Sequence, residues 1–312
     1  MGILVNSDFY RSSDGQTDIS YNIWNRDKDE EPKAIFQLVH GMAEHIDRYD
    51  EFARFLAKNG YAVFGNDHIG HGNSVADKKH LGHIAGKDGY EHMVNDIHLL
   101  TLIAKDRYPG IPVMLFGHSM GSLLVRLYAA RWGGEIDGLV VCGTSGSNPL
   151  SSTGLALINA IAAIKGWEHR SRIIDNMAFG GYNDKISSPE TKFDWLSVNR
   201  ENIDGYIADE RCGVMFTLSG FYNLMTLLKR VTQKNRAVTV PKRLPVLIIS
   251  GADDPVGGYK KGVTETANML RSSGIKKINL VFYEGMRHEI LNEDDRDRVF
   301  EDILRWSDKV LS

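Results

Sequence analysis

The sequence predicts an α/β protein, a doubly wound and mostly parallel sheet interrupted once by a helical insertion. Three observations predict it. Short continuous apolar runs recur along the chain, stretches of helical periodicity separate them, and this alternation stops after Cys142 and resumes only at Val246. The composition fits a well-packed chain: 312 residues with 42% apolar and 25% charged, and 37 Lys plus Arg against 40 Asp plus Glu. Such a balance excludes a disordered chain and an electrostatic nucleic-acid binder.

Taken in order, residues 19–24 are mixed in polarity and read as an edge strand. Residues 34–39, 61–64, 113–116, 139–142, 246–249 and 278–283 are uninterrupted apolar runs. Strands covered by helices on both faces require that pattern, because neither face meets water. Tyr49, Phe52, Ala53, Phe55 and Leu56 mark one helical face, which Gly60 ends. A second helix follows Ser119, carries Leu123, Leu124, Leu127 and Tyr128 on one face, and closes at Gly133-Gly134. Parallel neighbours need right-handed crossovers, so strand and helix in alternation specify the doubly wound sheet.

The core therefore comprises residues 1–142 and 245–312, with 143–244 inserted as a helical cap that lies on the sheet. Residues 154–164 of the insertion are apolar nearly all round if helical. Such a helix is buried or meets lipid. It is too short to span a bilayer, so the expectation is packing inside the cap, with one face lining an acyl-chain tunnel or dipping into a membrane surface. The N-terminal stretch has no basic region followed by a long apolar core, and Cys142 and Cys212 make neither metal spacing nor a disulfide framework. A reducing, cytoplasmic setting is expected.

The chemistry starts at Gly117-His118-Ser119-Met120-Gly121, which joins the apolar run 113–116 to the helix after Ser119. A G-x-S-x-G turn between strand and helix presents the serine hydroxyl at the top of a sheet beside a helix N-terminus. A hydroxyl is a poor nucleophile at neutral pH and needs a base, which in turn needs an acid to hold its tautomer. In sheets of this kind the chain order is serine, acid, histidine. After Ser119 only His169 and His288 remain, and His288 sits just past the run 278–283, where a loop reaches the C-terminal edge of the sheet. Asp253 and Asp254 follow the run 246–249, and either carboxylate can orient the imidazole. The backbone N–H groups of Met42, after His40-Gly41, and of Met120 converge on a developing oxyanion. His68, His71, His80, His83, His92 and His98 lack a metal-binding pattern, and 66–72 reads better as a Gly-rich turn leaving a strand.

These segments together resemble the α/β-hydrolases, in the branch of the monoacylglycerol lipases and lysophospholipases. The resemblance rests on His40-Gly41-Met42-Ala43-Glu44-His45 with Arg48-Tyr49, on Asp67-His68-Ile69-Gly70-His71-Gly72-Asn73-Ser74, on Gly117-His118-Ser119-Met120-Gly121-Ser122 and on Gly285-Met286-Arg287-His288. It implies Asp254 rather than Asp253 as the acid, and an oxyanion hole made by Met42 and Met120. It also implies a head-group role for Glu44 and Arg48, whose plain alternative is an ion pair pinning the loop. The expected activity is hydrolysis of carboxylic esters, monoacylglycerols above all, through an acyl-enzyme on Ser119, with His288 as base. General carboxylesterase, lysophospholipase or proline-releasing peptidase activity is the alternative within enzymes, and a non-catalytic binding protein the alternative outside them. Neither cofactor nor metal is expected. The partner is a small lipid or ester, with transient membrane-surface contact through the cap and no nucleic acid.

Overall fold

Alternation along the central strands explains why their sequences are apolar throughout. In residues 34–39, Ile35 and Val39 face one core while Ala34, Phe36 and Leu38 face the other. Val113 and Leu115 likewise oppose Met114 and Phe116. Both faces are covered, so period two leaves no polar stripe. The computed structural model describes residues 2–26 and 31–312.

The sheet has eight strands among the described residues: β1 (Leu4–Arg11), β2 (Asp18–Asn25), β3 (Ala34–Val39), β4 (Tyr61–Asn66), β5 (Val113–His118), β6 (Gly138–Cys142), β7 (Val246–Gly251) and β8 (Ile278–Tyr283). Their order is β1-β2-β4-β3-β5-β6-β7-β8. The β1–β2 and β2–β4 pairs are antiparallel and the remainder parallel. One face is covered by α1 (Asp50–Lys58) and α10 (Arg296–Leu311), through Phe52, Leu56, Phe300 and Ile303. The other is covered by α2 (Gly89–Arg107), α3 (Met120–Trp132) and α9 (Lys261–Ser272), through Ile97, Leu124 and Val263. Polar side chains also enter this second core. Gln37 is fully buried, donates to the Ile97 carbonyl at 2.8 Å and accepts from the Thr101 hydroxyl at 2.6 Å, so neither of its polar atoms is stranded.

The edge assignment differs from expectation. Residues 19–24 belong to β2, which lies second in the sheet and is buried along nearly all its length. The edge is β1, paired with β2 from Leu4↔Asn25 to Arg11↔Asp18. Its side chains are almost all exposed, so no apolar run announces it. The turn joining the two has legible chemistry. Asp14 accepts the N–H groups of Gln16 and Thr17 and the Thr17 hydroxyl, beside Gly15 at φ +72°.

Between β6 and β7 run α4 (Ser151–Lys165), α5 (Arg172–Phe179), α6 (Arg200–Ala208), α7 (Leu218–Val231) and α8 (Lys234–Thr239), with no strand among the described residues. The segment is seated on the core by α7, whose Leu218, Phe221 and Leu227 join the same apolar cluster as α2 and α3. Asn223 is fully buried there, accepts the Tyr90 N–H at 2.9 Å and donates to the carbonyls of Gly86 and Ser219. The apolar helix α4 is only half enclosed: Gly154, Ile158 and Ala162 form a buried stripe, while Ile164 is 83% exposed. Among the described residues, no helix is long and apolar enough to cross a membrane.

Candidate active site

The parallel strands end at one rim. Val39 pairs with both Asn66 and Gly117, His118 with Cys142, and Gly251 with Tyr283, so the residues after β3, β5, β7 and β8 emerge side by side. Ser119 follows β5 with φ 53° and ψ −119°, a conformation that a non-glycine residue holds only when its surroundings enforce it. The enforcement comes from crowding. A Cβ on Gly117 would lie 2.4 Å from the Gly121 carbonyl oxygen, and one on Gly121 would lie 2.2 Å from that of Val39. Only glycine at both positions lets α3 start so close to the sheet. The Ser119 N–H donates to the Cys142 carbonyl at 3.0 Å, and its hydroxyl has no hydrogen-bond partner among the described residues.

His288 is 2% exposed, and its Nδ1 lies 2.9 Å from Oδ2 of Asp254. Asp254 is fully buried, accepts the Val256 N–H at 2.8 Å on its other oxygen, and is reached by the Ser250 hydroxyl at 3.3 Å. Asp253 is exposed, and only its backbone N–H is engaged, by the Met286 carbonyl at 3.0 Å. Of the two carboxylates that residue chemistry alone left open, Asp254 meets the imidazole. Ser119 and His288 line the same cavity. Their side chains are not joined by a hydrogen bond in this conformation, as is common in resting sites whose contacts tighten with substrate bound.

Met42 and Met120 line that cavity too. Met120 opens α3, so its N–H is among those an α-helix leaves without an intrahelical acceptor. Glu44 holds the Met42 loop in place. Its Oε1 accepts the Gly41 N–H at 2.6 Å and the Tyr49 hydroxyl at 2.8 Å, and its Oε2 accepts Arg48 at 2.8 Å. Arg48 in turn grips Glu289 with two hydrogen bonds of 2.6 Å and donates to Asn202 at 2.8 Å. Burial works against the Glu44 charge, but the His118 hydrogen bond and the Arg48 guanidinium hold its carboxyl well below the usual range. Glu44 reaches the cavity wall; Arg48 does not.

Sequence reasoning missed Glu289, Asn202 and His118. His118 touches Glu44 at 3.4 Å and the His288 carbonyl at 3.2 Å, and its ring centroid lies 4.6 Å from that of His288. Glu289 had a signal, its adjacency to His288; Asn202 had none, being far along the chain and adjacent only in space. His68 and His71 pack with His40 beneath the loop, at centroid separations of 4.1 and 5.2 Å from its ring. Burial depresses all three imidazoles, His68 to about 3 and His71 to about 4.

The cavity measures about 770 Å³, within the range of small-molecule sites. Its lining is mixed: Met177 and Phe179 of α5, Trp195, Val214, and Leu224 and Leu228 of α7 supply apolar surface, while Asp175, Asn176, Asn183, Lys192, Lys261 and Glu265 supply polar groups. Helix α4, expected to line an acyl tunnel, contributes no residue to it. Its buried stripe is taken up against α7 instead, where a Cβ on Gly154 would meet Met225 Sδ at 2.8 Å.

Comparison with known proteins agrees with this fold. The family of serine aminopeptidases, S33, matches residues 30–295. The chain is 28% identical over 296 residues to the monoacylglycerol lipase of Mycolicibacterium smegmatis, covering 94% of this chain and 93% of the relative. It is 29% identical over 284 residues to the monoglyceride lipase of Homo sapiens, covering 88% and 82%. Among solved structures, a thermostable carboxyl esterase from Bacillus coagulans in complex with glycerol superposes with a TM-score of 0.92 at 30% identity, over the full length of both chains.

Proposed function

The chain belongs to the serine aminopeptidase S33 family of α/β-hydrolases, and from that premise we propose that it hydrolyses monoacylglycerols through an acyl-enzyme on Ser119. The observation that carries the reading is the buried Asp254–His288 pair together with the strained Ser119, with Ser119 and His288 lining one cavity that has an apolar part. Ser119 Oγ attacks the ester carbonyl while His288 takes its proton; Asp254 fixes the imidazole and stabilises its charged form. The tetrahedral oxyanion accepts from the N–H groups of Met42 and Met120, donors of a kind worth about 2.7 to 4 kcal/mol each. His288 returns the proton to the leaving alcohol, and water repeats the sequence in reverse.

The segment 143–244 acts as the cap, and its apolar wall takes the acyl chain. Glu44 and Arg48 serve to brace the oxyanion loop, since Glu44 accepts the Gly41 N–H and Arg48 ties Glu44 to Glu289 and Asn202. Exposed Leu150, Ile164 and Ile173 meet the lipid surface from which substrate is drawn. Cys142 and Cys212, both buried and free, suit the reducing cytoplasm. The test is hydrolysis of monoacylglycerols across chain lengths, set beside lysophospholipids and simple esters, with Ser119→Ala as control. The expected result is preference for monoacylglycerols and loss of fluorophosphonate labelling in the variant. Labelling that persists removes Ser119 from its role, and a preference for lysophospholipids reassigns the substrate.

A further inference from the structure

We propose that His45, Asp209 and Cys212 form a binding site for one divalent cation of the zinc class, at the joint between the Met42 loop and the segment returning from the cap. The site is separate from the Ser119 chemistry and does not rest on the ester-hydrolase reading. The potential ligand atoms of the three residues all lie within 4.8 Å of one another. Tetrahedral ligands at about 2.0–2.3 Å from zinc stand roughly 3.3–3.8 Å apart, so only small adjustments are needed. An imidazole, a carboxylate and a thiolate select zinc or cobalt over magnesium or calcium.

Local structure gathers the donors. The Cys212 N–H donates to the Asp209 carbonyl at 2.9 Å, a turn that folds these two residues back toward one another. His45 arrives from the other side, its Nε2 now 2.8 Å from Asp209 Oδ2. His45 and Cys212 are buried, whereas the Asp209 side chain is 28% exposed, which leaves a solvent-facing position for a fourth ligand.

The second nitrogen of His45 supplies an independent observation. Nδ1 is buried without a hydrogen bond, yet the Asp47 carboxylate stands 3.6 Å away. Nε2 faces Asp209, so Nδ1 is the nitrogen turned to Asp47. A cation on Nε2 puts the ring proton on Nδ1, where Asp47 accepts it, the carboxylate–histidine–metal arrangement that orients metal-bound histidines. The other charged neighbours are Arg48, Glu44 and Glu289, which act on Cys212, and Arg211, which bonds Asp209 Oδ1 through its N–H and Nε and reaches Asp47 at 2.8 Å. Those contacts leave Asp209 Oδ2 as the metal-facing oxygen; the Arg211 Nη2 contact to it, at 3.0 Å, gives way. The proton balance is simple. The imidazole keeps one proton, on Nδ1, and the Cys212 thiol loses one to solvent as its sulfur binds.

The site bears on the loop that carries the Met42 N–H. The Ala43 carbonyl accepts both the Gly213 N–H, at 2.9 Å, and the Tyr206 hydroxyl, at 3.0 Å. A cation shared by His45 and Cys212 fastens that joint a second time.

The experiment titrates the full chain, stripped with a chelator, with cobalt(II). One equivalent is expected to produce thiolate-to-cobalt charge transfer in the near ultraviolet, kept in Cys142→Ser and lost in Cys212→Ser. Asp47→Asn is expected to weaken cobalt binding about 10- to 100-fold while keeping the band at saturation. In the unsubstituted chain, apparent affinity rises about tenfold per pH unit, because one thiol proton leaves. That slope needs no variant to fold. Folded protein that takes up no cobalt, a band that survives Cys212→Ser, or binding without the pH slope overturns the site.

Discussion

Asp254 Oδ2 stands 2.9 Å from His288 Nδ1, fully buried, while its neighbour Asp253 points to solvent. Asp254→Asn should therefore lower kcat by about 10⁴-fold, because the amide holds the wrong tautomer. Asp253→Asn should leave it nearly unchanged, with stability shifted by less than about 0.5 kcal/mol. Steady-state kinetics on a chromogenic ester decides; a reversed order would show that the buried carboxylate is structural.

Arg48 lies between two buried carboxylates, so Arg48→Met strands negative charge on Glu44 and Glu289. A loss of about 3–5 kcal/mol in stability is expected, from denaturant unfolding. If Arg48 braces the loop, kcat falls alike for a monoacylglycerol and for an ester without glycerol. A rise in KM confined to the glycerol ester would restore the head-group role.

The buried histidines make the fold acid-sensitive. His71 titrates near 4 in the folded chain against an ordinary 6.5, so between those values the unfolded chain binds more protons and stability falls as pH falls. A displacement of that size corresponds to about 3 kcal/mol once the window is crossed. His68 and His40 act in the same direction. Asp67, pushed up to about 6 by burial, opposes them. The expected result is a thermal midpoint that drops steadily below pH 6.5, with a shallower drop in His71→Asn, whose amide nitrogen takes the place of Nδ1 facing the Ile69 carbonyl. A flat profile through that window would contradict the assignment.

Ile164 of α4 and Ile173 of α5 are 83% and 64% exposed. Burying an aliphatic side chain is worth about 1.5–3 kcal/mol, so replacing both with Glu should reduce binding to phosphatidylcholine vesicles by on the order of tenfold or more. Turnover of a soluble short-chain ester should not change. Equal vesicle binding by variant and parent would remove this face as the lipid contact.

Much of this architecture was written in local pattern. Strands covered on both faces must be apolar at every position, and a serine turned so tightly between strand and helix needs its flanking glycines; both leave marks within a few residues. Strand β1 left none, since an edge whose side chains meet water has no apolar run to show. Helix α4 looked enclosed because its composition is apolar all round, yet composition cannot say which stripe finds a partner.

By itself the sequence marked the inner strands and their alternation with helices, and singled out the Ser119 elbow and His288 as candidates, because each depends on neighbours in the chain or on there being few alternatives. Residue chemistry left Asp253 and Asp254 open and the family resemblance pointed to Asp254; the tertiary structure set Asp254 against His288, gathered Glu44, Arg48, Asn202 and Glu289 into one network, and set His45 against Asp209 and Cys212. Those relationships join residues far apart along the chain. They exist only where the sheet register and the seating of the cap bring the side chains within hydrogen-bond or ligand reach.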